Sequence, residues 1–445
     1  MIPFISFAEE RTVTVMIEFF DDKLKEKYYK LTHKSGLDVY VFPKKMTCSY
    51  ALFGTKYGSV DNCFRIKGEE SFTSVPDGIA DYLEHRMFTQ KDGSDITERF
   101  SSYGADSNAY TSFNKTVYIC SATDNFDDAV RTLLEFVTEP NFTDELVERE
   151  RGIIIQEIKM TNDSPYSRSY RRMLEAMYHR NSARVDIAGT VESVSSITAD
   201  MLNQCYKTFY NPTNMALVVC GDVDPQGIMK IVDEAIPDDF SGVDIERKYC
   251  EDEPKEVCKP LCEDYMEVSK PIFTIGVKDV DISGDPYARL RKFAAMSLLS
   301  ELIFSRSGKL YNELLDSGMI TPDFDSAYTL SETFAYTVIE GESDAPLDVV
   351  EYIKKYISEF SFSDEELERC KKVIFAEYVM DFDSTEEIAN NLIDYVFENF
   401  DFFGYGHLIN EITSDEIYKL IRDCFKDEYF AVSVIYPVSN GEKEG

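Results

Sequence analysis

The chain has 445 residues, too many for one ordinary core and enough for two domains of about 200 residues each. With 44% hydrophobic and 13% aromatic residues and no low-complexity tract, the composition excludes a disordered chain. Lys and Arg number 46 against 82 Asp and Glu, and the resulting net charge of −36 repels phosphate backbones, which excludes nucleic acid as a partner class.

The run Met1-Ile2-Pro3-Phe4-Ile5-Ser6-Phe7 gives way to Glu9, Glu10 and Arg11, so no secretory leader is expected. No stretch is apolar for long enough to predict a membrane span. The ten cysteines are scattered from Cys48 to Cys424 without the spacing of a disulfide framework, which points to a cytoplasmic protein with free thiols. Cys258 and Cys262 are close together, but no second Cys or His pair follows to complete a zinc site.

Between Pro76 and Thr89, the apolar residues Ile79, Ala80, Leu83 and Met87 recur at about 100° per residue and predict an amphipathic helix. Its opposite side carries Asp81, Glu84 and His85 at i, i+3 and i+4, so two carboxylates and an imidazole project into one small volume. A solvent-facing helix can present the same face, and the pentapeptide alone does not separate the two readings. Thr116-Val117-Tyr118-Ile119-Cys120 reads as a strand and Phe126 to Glu135 as an amphipathic helix. Thr143 is the expected N-cap of a further helix ending near Glu157, which places Glu150 and Glu157 on one face, seven residues apart. Of the other histidines, His33 and His407 read as surface or capping residues, and His179 as structural or as part of a substrate wall.

The segment Ser241 to Ser269 is rich in charge and proline, lacks amphipathic period and reads as a linker between domains at 1–240 and 270–445. Beyond it the same order of elements returns at an offset of about 220 residues. Ala327-Tyr328-Thr329 repeats Ala109-Tyr110-Thr111, Phe334 to Ile339 repeats the strand, Pro346 to Ile353 repeats the helix, and Ser363 repeats Thr143 at the start of a helix ending near Glu377. Two homologous α+β domains are expected, each a mainly antiparallel sheet covered by helices, facing each other across a cleft. Where the first half has His85, the second has Leu302, within Leu298 to Phe304, so it carries no metal motif.

These features together resemble the insulinase/pitrilysin family of zinc peptidases, which carries an inverted motif His-x-x-Glu-His on one helix and a third ligand, a Glu, on a later one. Here Glu84-His85 is followed 72 residues later by Glu157, with Glu150 ahead of it. Tyr103 to Thr111, Tyr210-Asn211-Pro212 and Gly221 to Asp224 also look like family segments, and the resemblance covers essentially the whole chain. It is closest to bacterial half-length, two-domain members similar to processing-peptidase subunits.

The resemblance implies zinc as cofactor, Glu84 as general base, and Asp81, His85 and Glu157 as ligands, with Glu150 orienting a ligand from behind. It implies a peptide substrate lying as an added strand along Asn108, Ala109 and Tyr110 inside a chamber. It further implies a second family-like subunit, in a heterodimer or a homodimer; no membrane partner is expected, since no stretch is apolar for long enough to span one. The departure is Asp81 where the family has His. An aspartate is shorter than an imidazole by roughly two ångströms of reach, yet is a legitimate zinc ligand. The family's second-domain Arg and Gly-Leu-x-Tyr segment are also missing, since the run here is Leu314 to Ile320. The expected activity is therefore metal-dependent endopeptidase, with a catalytically degenerate docking subunit as the alternative.

Overall fold

The computed structural model describes residues 15–91, 93–282 and 284–438, so the opening run from Met1 to Arg11 lies outside it. The chain forms two compact units. The first comprises the chain up to Ile158 together with Asp186–Tyr249 and Val379–Phe397; the second comprises Lys159–Val185, Cys250–Tyr378 and the chain from Glu398 onward.

The first unit contains β1 (Met16–Asp21), β2 (Glu26–Thr32), β3 (Asp38–Pro43), β4 (Ser49–Thr55), β5 (Cys63–Ile66), β6 (Thr73–Ser74), β7 (Asp106–Thr111), β8 (Thr116–Ala122), β9 (Met215–Gly221) and β10 (Ile245–Arg247). Seven of these form one sheet in the order β1-β2-β3-β9-β4-β8-β7, and β10, β5 and β6 form a smaller one. The large sheet is antiparallel except for the parallel pair β3 and β9. Its central strands β4 and β9 are near-continuous apolar runs buried along their whole length, the pattern of strands covered on both faces.

The second unit holds β11 (Leu261–Met266), β12 (Ile272–Asp279), β13 (Asp325–Leu330), β14 (Ala335–Glu342) and β15 (Phe430–Pro437), ordered β11-β15-β12-β14-β13. This is the order β3-β9-β4-β8-β7 again, with the parallel pair in the same place. The repeated Ala-Tyr-Thr triplets fall on the two edge strands β7 and β13.

Both faces of β4 are buried because each half of the chain lends a helix to the other half's sheet. Helix Thr385–Glu398, nearly all of it in the first unit, lies beside β4, β7 and β8. Tyr50 Oη donates to Glu386 Oε1 at 3.4 Å, Tyr110 Oη donates to Asn390 Oδ1 at 3.3 Å, and Lys115 pairs with Asp394, three contacts spaced four residues apart along one helix face. Reciprocally, helix Pro165–Met177 packs on β12 and β15 of the second unit, where Ser169 Oγ and Thr274 Oγ1 are 2.8 Å apart.

Several expectations change at this level. The helices begun by Thr143 and Ser363 run on to Asn162 and Asp381 rather than ending near Glu157 and Glu377, since neither Pro nor Gly falls in the stretches beyond those glutamates. The segment 241–269 contributes β10 and β11, short charged strands whose pattern is too brief to register as a period. His33 is buried in the turn between β2 and β3, not on the surface; its Nδ1 is 2.8 Å from Ser35 Oγ and its Nε2 is 3.2 Å from Asp233. All ten cysteines are free thiols.

Two glycines set the entry to helix Ile79–Met87. Gly78 caps the helix at φ +86° and a Cβ there would meet the Ala188 carbonyl oxygen at 2.3 Å, while Gly189, at φ +76°, would meet the Asp77 carbonyl oxygen at 2.5 Å. The two backbones touch where side chains have no room, drawing Asp186–Thr190 against the start of the helix. Gly78→Ala and Gly189→Ala are expected to destabilise the fold by more than the roughly 1–2 kcal/mol of a left-handed residue alone. Gly68→Ala, at φ +101° with nothing within 4 Å, carries only the conformational part, and the three are compared by urea denaturation.

Candidate metal centre

Helix Ile79–Met87 presents three faces. Ile79, Ala80, Leu83 and Met87 enter the core. Tyr82 and Arg86, one turn apart, dock the helix beside helix Asp144–Asn162: the Tyr82 hydroxyl donates to the Val147 carbonyl, and Arg86 Nη2 donates to the Asn141 carbonyl at 2.6 Å. Asp81, Glu84 and His85 form the third face, and one ligand atom from each lies within 4.8 Å of the others.

Helix Asp144–Asn162 is seated through buried Val147, Ile154 and Ile158. Arg151 ties it further, donating to the carbonyls of Val194 and Ile197 at 2.7 and 3.0 Å. Its glutamates take opposite sides of one imidazole: Glu150 Oε1 is 3.6 Å from His85 Nδ1, a charge contact, and Glu157 Oε2 is 3.3 Å from Nε2. Thr111, on β7, donates to Glu84 Oε2 at 3.2 Å. Asp81 and Glu84 are buried, and Asp81 Oδ2 has no hydrogen-bond partner among the described residues.

Crowding of buried acids shapes the protonation of the cluster. Burial raises Asp81 to about 6, helped by the charges of Glu157 and Asp186 and opposed by His85. Burial likewise raises Glu84 to about 7, reinforced by Asp81 and opposed by His85 and the Thr111 hydrogen bond. For His85, burial is the largest single influence and disfavours charge, but the contact with Glu150 and the charges of Asp81, Glu84 and Glu157 together outweigh it and raise the imidazole to about 9.

A divalent cation fits this arrangement. The orphaned Asp81 oxygen is a buried acceptor in need of a partner, the His85 and Glu157 atoms available as donors are already adjacent, and the nearby guanidiniums of Arg86 and Arg151 are committed to backbone carbonyls.

Among the residues expected along the substrate strand, Asn108 accepts the backbone N–H of Ala109 at 2.9 Å through its own Oδ1, Ala109 packs on the core, and Tyr110 turns to Asn390. Ala109 and Thr111 thus face the side of the sheet that holds the helix Ile79–Met87, and Asn108 and Tyr110 face the other. His179 lies in the second unit, its backbone N–H donating to Glu253 Oε1 at 2.9 Å. Thr111, Asp186, Tyr82 and Arg86 were not foreseen as contributors. Strand alternation from Ala109 would have pointed to Thr111, and two polar side chains one turn apart on a core-facing helix would have pointed to Tyr82 and Arg86.

Without metal, all three shifts act in one direction. A carboxyl raised by folding holds its proton more tightly when native, so Asp81 and Glu84 weaken the fold as pH climbs from about 4 to about 7; His85 adds stability below its unfolded pKa near 6.5, lost as pH rises to about 9. The melting temperature of metal-free protein is expected to fall from pH 5 to pH 9 at this site, and His85→Asn to flatten the upper half of that slope.

The insulinase family (peptidase family M16) matches residues 73–191, which include the helix of Asp81, Glu84 and His85, strand β7 and both glutamates. A second family, described as the peptidase M16 inactive domain, matches residues 196–374. A Bacillus subtilis protein named uncharacterized zinc protease YmfH is 36% identical over 423 residues, spanning 94% of this chain and 98% of its own. An M16-like peptidase from Alicyclobacillus acidocaldarius superimposes with a TM-score of 0.88 at 34% identity, covering 92% of this chain and 98% of the other. A peptidase M16 inactive domain from Pseudomonas fluorescens, 16% identical, shares the fold at a TM-score of 0.74 over 92% of this chain and 98% of that one. Its two halves, its motif helix and its near full-length relatives agree, and the chain belongs to the insulinase family of peptidases, family M16.

Proposed function

We propose that this chain is a zinc-dependent endopeptidase acting on extended peptides. The observation that carries the proposal is the convergence of Asp81, Glu84 and His85 with Glu157 on the far side of the imidazole. Asp81, His85 and Glu157 would hold the ion, which when bound lowers the pKa of a water and polarises a carbonyl. Glu84 accepts and returns the proton, its buried carboxyl held towards Thr111 within the cluster. Thr111 fixes one Glu84 oxygen, and Glu150 holds the Nδ1 side of His85 so that Nε2 faces inward. The peptide adds to the open edge of β7 through backbone hydrogen bonds at Asn108, Ala109 and Tyr110, which requires the Asn108 side chain to release the Ala109 N–H.

A second family-like subunit, in a heterodimer or homodimer, would supply the second-domain substrate residues that the run Leu314 to Ile320 lacks. No helix among the described residues is long and apolar enough to cross a membrane, and with the free thiols this supports a cytoplasmic location. The alternative reading, a catalytically degenerate docking subunit, is favoured by Asp81 itself.

The two readings part at Glu84. Glu84→Gln is expected to lower the cleavage rate of an unstructured peptide by about 10²–10⁴-fold while metal content is retained. Equal turnover by the variant and the native chain, or no turnover by either in the presence of a family-like partner, would sink the peptidase proposal.

A further inference from the structure

The position that distinguishes this chain's metal motif is Asp81. Around His85 the side chains within reach are Asp81, Glu84, Glu150 and Glu157, four carboxylates to one imidazole. The N–H donors of Arg86 and Arg151 go to backbone carbonyls rather than to these carboxylates, Arg86 to Asn141 and Arg151 to Val194 and Ile197. The centre therefore presents a surplus of hard oxygen donors, and one of them, Asp81 Oδ2, is buried with no hydrogen-bond partner among the described residues.

Donor type governs which ion such a set holds. Imidazole nitrogen suits zinc, whereas carboxylate oxygen suits manganese, magnesium and calcium. Exchanging one imidazole for a carboxylate removes a donor that favours zinc and adds one that a harder ion binds equally well, and the added negative charge strengthens binding of any divalent cation. Zinc ranks above manganese in raw affinity at nearly all nitrogen and oxygen sites, so the consequence lies in the size of the gap.

Resting on the metal centre proposed above, we infer that Asp81 makes this site accept a hard, oxygen-preferring divalent cation of the manganese(II) class alongside zinc, narrowing the margin by which zinc wins. The ion resident in the cell is then set by metal supply as much as by the site.

The test is binding, independent of turnover. Full-length chain stripped of metal is titrated with Mn²⁺, followed by the loss of the free-ion electron paramagnetic resonance signal, and then with Zn²⁺ as competitor, beside Asp81→His and Asp81→Glu. The native chain is expected to bind one Mn²⁺, and its ratio of zinc to manganese affinity to be at least about tenfold smaller than that of Asp81→His. Asp81→Glu, which keeps the carboxylate, is expected to stay near the native ratio, and it carries the test should Asp81→His fail to fold. A native chain that binds Zn²⁺ but no Mn²⁺, an unchanged ratio in Asp81→His, or a ratio in Asp81→Glu shifted strongly towards zinc overturns this inference while leaving the metal centre in place. Binding of neither ion overturns both.

Discussion

The centre depends on the docking of helix Ile79–Met87 beside helix Asp144–Asn162 through Tyr82 and Arg86. Neither residue points at the candidate metal site, but together they fix the separation of the two helices from the buried side. A Tyr hydroxyl on the Val147 carbonyl and a guanidinium on the Asn141 carbonyl are hydrogen bonds worth roughly 0.5–1.5 kcal/mol each. With that spacing set, the i, i+3, i+4 face of one helix and the i, i+7 face of the other meet at His85 with no adjustable loop between them. The glycine pair Gly78 and Gly189 serves the same end, bringing Asp186 close enough to Asp81 for their charges to interact.

Held this way, the acidic side chains oppose one another. Asp81, Glu84, Glu150 and Glu157 surround a single imidazole, and burial pushes the first two towards their neutral forms. A fold that brings more buried carboxylates together than the one imidazole can offset stores unfavourable electrostatic energy, which a divalent ion bound there would convert into affinity. The second half repeats the core strand order, but Leu298, Leu299 and Leu302 are apolar and buried there, and of its acids Glu301 is paired with Arg369 while burial and Glu301 raise Glu377. The duplicated architecture thus places the candidate metal ligands on one copy and apolar packing at the matching position of the other.

Much of this was legible in the sequence because the relevant signals are local. Ile79, Ala80, Leu83 and Met87 are spaced for one buried face, and the polar triplet on the opposite side followed directly. The duplication was readable from the Ala-Tyr-Thr triplets, which mark the edge strands of both sheets. What escaped was non-local. The exchange of helices Pro165–Met177 and Thr385–Glu398 between halves leaves no trace in periodicity, since an amphipathic helix does not reveal which sheet it covers. The turn at Tyr110, away from the metal face and onto Asn390, follows from that exchange. His33 read as a surface residue because one of its partners, Asp233, becomes a neighbour only when a distant helix closes over the turn.

The central claim is that these helices hold a single divalent ion among Asp81, His85 and Glu157. Anomalous diffraction from crystals of the full chain grown with the ion, recorded on either side of its absorption edge, tests this most directly. The account predicts one strong anomalous peak per chain bounded by those three side chains; absence of a peak there, or a peak held by other residues, would contradict it.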